Sequence, residues 1–155
     1  MKFASILLLI AVFLPACQGQ QSSDDANPSN PESVAQEILS STVYREYTEV
    51  AKEIQLVMLH DVREGAKTLN VTELAGLKNG SDIAAYLKEN GYQRAAKLHE
   101  LIERSEILSK SLLDLFHEIQ GRVGVENFQN GLTYIDDHAP HTYKITAEEA
   151  LNFKH

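Results

Sequence analysis

The chain has 155 residues, room for one domain once a targeting segment is set aside. It is 43% hydrophobic, enough for a modest core, and its lack of Trp and few Phe and Tyr turn it away from an all-β sandwich. A formal net charge of −8 repels phosphate backbones, which excludes nucleic acid as a natural partner and suits a soluble acidic body or a partner with a basic face.

At the N-terminus, Met1-Lys2 gives a positive start and Phe3 to Leu14 an apolar run. The run matches a signal-peptide core and is too short to span a bilayer. It ends in Leu14-Pro15-Ala16-Cys17. This motif resembles the bacterial lipobox: Leu three residues before the cut, a small residue just before it, and a cysteine after it. The resemblance covers only the first 17 residues. It implies cleavage before Cys17, whose thiol takes the diacylglycerol and whose new amino group is acylated in turn, with chains such as palmitate. Burial of hydrocarbon contributes about 0.8 kcal/mol per CH₂, and stable anchoring takes more than one chain. Gln18 follows the cysteine, and by resemblance to sorting in enterobacteria the absence of Asp there implies the outer membrane, facing the periplasm. The competing reading is an ordinary secretory peptide cut near Ala16. Cys17 is the only cysteine, which leaves the rest of the chain with no disulfide and no thiol ligand.

Gln18 to Asn30 is almost wholly polar and predicts a disordered tether. Its root-mean-square reach is on the order of 20 Å. The organisation expected is therefore a signal peptide over 1–16, a lipidated cysteine with its tether over 17–30, and a helical domain over 31–155.

Asn30-Pro31-Glu32 is a strong helix start, with a capping amide, Pro at the first helical position and an acid in the first turn. Ser40-Ser41-Thr42 predicts an interruption. Beyond it, Val43, Tyr47, Val50, Ile54 and Val57 recur at helical spacing. Leu56, Met58 and Leu59 widen that stripe, so this helix is expected to be covered on more than one side, with Gly65 as its stop. Asn70 to Glu73 reads as a capping box, Ser81-Asp82 as a helix start and Asn90-Gly91 as a C-cap. A long helix follows, expected over Tyr92 to Gln120, with its seam through Leu98, Ile102, Ser105, Leu112 and Ile119. Asn130-Gly131 resembles a hairpin turn, but Val125, Phe128, Leu132 and Ile135 keep helical spacing, which favours a helix. Asp136 to Lys144 reads as a loop around Pro140, and Thr146 to Glu149 as the capping box of a short terminal helix. The fold class is all-α: a small irregular bundle of two long helices and several short ones.

Few constellations carry chemistry. His99-Glu100-Leu101-Ile102-Glu103 approaches the H-E-x-x-H helix of zinc peptidases, but Glu103 stands where the second imidazole belongs. Asp114 and His117 approximate one half of a di-iron pair and lack the other half. Met58 is a conceivable haem ligand, and its place beside the apolar stripe assigns it to the core. The densest cluster of ligand types is Asp136, Asp137, His138 and His141, a weak candidate for Zn²⁺ or Cu²⁺. No catalytic residue and no cofactor is expected. The function these features favour is a membrane-anchored protein-interaction module of the immunity, inhibitor or envelope-adaptor kind, and not an enzyme. A bundle that binds a small ligand or metal is the alternative, and a hydrolase with a dispersed site comes third.

Overall fold

The computed structural model describes residues 30–69, 77 and 80–153. The lipobox with Cys17, the tether before Asn30 and the capping box expected at Asn70–Glu73 lie outside these residues. The described residues form an all-α bundle: six helices and no strand. They are α1 (Pro31–Ser40), α2 (Thr42–Arg63), α3 (Gly80–Glu89), α4 (Ala95–Val123), α5 (Val125–His138) and α6 (Ala147–Asn152), with a 3-10 turn over Pro140–Thr142 before α6. None of the described helices is long and apolar enough to cross a membrane.

The helices begin and end where local chemistry dictates. The Asn30 side chain accepts from the Glu32 N–H, and Pro31, which has no N–H to satisfy, opens α1. Ser41 adopts an extended conformation and separates α1 from α2. At the ends of α2 and α3 the same closure recurs. Ala66 and Gly65 donate their N–H groups to the Asp61 and Val62 carbonyls, and Tyr92 and Gly91 donate to those of Leu87 and Lys88. Each is a Schellman motif with glycine in the left-handed position. The two motifs dock on each other, since the Lys67 N–H donates to the Asn90 carbonyl and a Cβ on Gly91 would stand 3.3 Å from Ala66 Cα.

Two long helices make the spine. At 1.5 Å per residue α2 spans about 33 Å and α4 about 43 Å. They run antiparallel, as the two core clusters record. In the first cluster Tyr44 and Tyr47, early in α2, join Leu112, Phe116 and Ile119, late in α4. In the second, Val57, late in α2, joins Leu98, Leu101 and Ile102, early in α4. Leu108 packs against both and marks the midpoint. The α1 and α5 helices close the first cluster, and α3 closes the second. Phe116 meets Phe128 of α5 edge to face, with ring centroids 5.3 Å apart. Ser105 and Ser109 are buried on α4 and donate back to the Ile102 and Glu106 carbonyls, so these hydroxyls are satisfied within their own helix.

The favoured helix over Val125–Ile135 is present and runs on to His138. Gly131, read against a hairpin turn, lies inside it, where α5 crosses α1 so closely that a Cβ would fall 2.5 Å from Val34 Cγ1. The loop expected from Asp136 is corrected: Asp136, Asp137 and His138 form the last turn of α5. Pro140 opens the 3-10 turn.

Candidate functional site

The ligand types grouped at 136–141 do not converge. Asp136 accepts from Lys144 Nζ at 2.6 Å and from the Tyr143 hydroxyl, and these two donors, Lys144 first, hold its carboxyl below the usual carboxylate range. His138 stacks on Tyr134 one turn earlier at 4.0 Å, with its Nδ1 3.0 Å from the Tyr134 carbonyl. Asp137 and His141 are exposed. Among the described residues no group of three or more His, Asp or Glu side chains stands in a metal-holding arrangement. On a helix consecutive residues point about 100° apart, which turns Asp136 and Asp137 away from a common metal ion.

Asp114 and His117 are exposed on α4, while His99 and Met58 lie against the packed interior. His99 Nε2 is buried and lies 3.5 Å from Glu103 Oε1, and α3 begins directly over it, since a Cβ on Gly80 would stand 2.5 Å from that nitrogen. Met58 packs against the second core cluster.

Two polar constellations emerge that the sequence did not single out. One is buried. Asp61, 1% exposed near the end of α2, accepts from the backbone N–H of Arg94 at 3.1 Å and from its guanidinium at 2.9 Å. The same guanidinium nitrogen lies 2.8 Å from His60 Nδ1. Arginine can only donate, so Nδ1 is the acceptor and the imidazole proton sits on Nε2. The 3.6 Å approach of that Nδ1 to Asp61 is accordingly a shared donor rather than an ion pair. This cluster ties the end of α2 to the start of α4.

The other is a surface strap. Residues 140–153 lie against α2 between Lys52 and Arg63. Lys52 Nζ donates to the His141 carbonyl at 3.1 Å and to Glu149 Oε1 at 2.7 Å. Gln55 donates to the Tyr143 carbonyl at 3.4 Å, and Arg63 to the Ala150 carbonyl at 2.7 Å. At the far end the Phe153 ring meets His60 edge on, 6.3 Å between centroids. The strap also bridges the two cores, with Tyr143 packed on the first and Phe153 on the second. Inside it the expected capping box is complete, Thr146 and Glu149 exchanging side chain to backbone bonds. The Lys52 ammonium, then the Thr146 N–H, pull the Glu149 carboxyl down to about 2. Glu149 and its cap were legible, but its partner lies 97 residues away and no local pattern announces it.

No family model, curated protein or solved structure matches this chain. Its function therefore rests on its own residues.

Proposed function

We propose that the chain is the precursor of a bacterial lipoprotein, anchored in the envelope by an acylated Cys17, whose helical domain works as a protein-interaction module facing the periplasm. The observation that carries this reading is the series at the N-terminus: Met1-Lys2, the apolar run to Leu14, and Leu14-Pro15-Ala16-Cys17, followed by a polar segment up to the Asn30 cap. Two further points support it. Three of the side chains first considered for chemistry are engaged within the domain, Asp136 with Lys144 and Tyr143, His138 with Tyr134 and His99 against Gly80. The whole chain's net charge of −8 raises the rate of encounter with a partner whose surface is basic overall, whatever the charge of the segment that docks. Immunity proteins, inhibitors and envelope adaptors need a tether and a shaped surface, and no reaction chemistry.

The test is affinity capture from envelope extract with a soluble Cys17→Ser form, read by mass spectrometry. The proposal expects one specific partner that survives moderate salt. Recovery of none across buffer conditions contradicts it.

A further inference from the structure

The bonds between α2 and the strap are mostly one-sided. Beside the Tyr44 hydroxyl, which lies 3.3 Å from Thr142 Oγ1 and can donate or accept, there are four, and in each the donor belongs to α2 (Lys52 twice, Gln55 and Arg63) and the acceptor to residues 140–153 (three main-chain carbonyls and one carboxylate). This side of α2 is thus a row of donors, two of them cationic, in a chain whose net charge is −8. Lys52, Leu56, Leu59 and Arg63 recur at spacings of four, three and four, which puts two half-buried leucines on the same face between the two cations. The strap reaches the two cores through Tyr143 and Phe153. Neither its 3-10 turn nor α6 has a buried residue, and Leu151 is 71% exposed. A peptide held by its main-chain carbonyls and one carboxylate is held by features that another peptide can supply.

We infer that the Lys52–Arg63 face of α2 is a receptor for an acidic, helix-forming peptide segment with an aromatic residue just past its helix, and that residues 140–153 occupy it in cis until a partner segment of the same chemistry displaces them. The inference deepens the interaction reading, and rests on it, by naming the surface and the partner's chemistry. Charge complementarity selects the occupant: a carboxylate for Lys52, main-chain acceptors for Gln55 and Arg63, and an aromatic ring for the His60 edge. Competition with the strap makes binding conditional, because the partner must outbid a segment whose effective concentration is high through covalent linkage.

The experiment uses a fluorescein-labelled peptide of residues 140–153 and the Cys17→Ser chain, with anisotropy as readout. Weakening the strap by Glu149→Gln raises peptide affinity about tenfold over the unaltered strap, and adding Lys52→Gln and Arg63→Gln removes that gain. Circular dichroism melts establish that each variant is folded. As a second measurement on the chain with its strap unaltered, excess peptide speeds hydrogen exchange in residues 146–153 and leaves α4 unchanged. Equal affinity with and without Glu149→Gln, or binding indifferent to Lys52→Gln and Arg63→Gln, overturns the inference. The two proposals fail separately. A partner captured equally well by the Lys52→Gln/Arg63→Gln chain keeps the interaction reading and removes this surface from it. Peptide binding without any captured partner keeps the surface and removes the reading.

Discussion

Asp61 and Arg94, 33 residues apart, are joined twice, through the guanidinium and through the backbone N–H of Arg94, with the carboxylate 1% exposed. A carboxylate withdrawn so far from water needs its donors, since removing one partner leaves a buried charge unpaired. Arg94→Met is expected to cost about 3 kcal/mol, near the low end for broken buried pairs because the backbone donor remains. The double variant Asp61→Leu/Arg94→Met recovers much of that loss, because both charges leave together. Urea unfolding of the two singles and the double completes the cycle. Additive losses in the double would show that the pair is not coupled.

Two helical glycines make opposite predictions. A methyl on Gly131 collides with Val34, at 2.5 Å from Cγ1 and 2.8 Å from Cβ, and the β-branched valine has little rotamer freedom to retreat. Gly131→Ala therefore destabilises by about 1–3 kcal/mol through overpacking. Gly121, in the last turns of α4, has nothing within 4 Å of its added Cβ. There alanine stabilises by about 0.5–1 kcal/mol, the difference in helix propensity. Thermal melts of the two variants should move in opposite directions, and a shift of the same sign in both would contradict the packing described at the α1–α5 crossing.

The strap carries a pH dependence. The Glu149 carboxyl is lowered from 4.5 to about 2 by Lys52. A lowered folded-state value means that the contribution is full above 4.5 and fades as pH falls from there toward 2. Residues 146–153 should consequently lose hydrogen-exchange protection over that window before the α2–α4 core does. Glu149→Gln should show the same local loss at neutral pH. A strap whose protection is flat until global acid unfolding would contradict the Lys52–Glu149 link.

Much of the fold is written locally. Asn30-Pro31, the Ser41 break, Gly65, Asn90-Gly91 and the Thr146 box each act over a few residues, and each appears at its expected place. The departures have physical reasons. The long helix begins at Ala95 instead of Tyr92, because Tyr92 closes the α3 cap with its N–H to the Leu87 carbonyl. Asp136 to His138 remain helical because Ile135 still packs in the first core and the backbone stays in register until Ala139. The strap bonded along α2 is a cover that periodicity alone could not name. Asp61 with Arg94, and Lys52 with Glu149, were illegible for one reason: each pair joins segments distant in sequence, and a single sequence carries no mark of such pairing.

A further prediction concerns the cap of α1. The Asn30 side chain accepts from the Glu32 N–H at 3.1 Å, at the opening of the first described helix. Asn30→Ala should lower stability by about 1 kcal/mol. The loss should appear first as faster exchange in the opening turn of α1. Unchanged exchange there would mean that Pro31 alone sets the helix start.

The most direct test of the account is the mass of the mature N-terminus, measured on protein taken from bacterial envelopes. A lipoprotein precursor yields a chain that begins at Cys17 and carries the diacylglycerol and amide-linked acyl masses. A mature chain that begins elsewhere, or whose Cys17 carries no acyl mass, contradicts it.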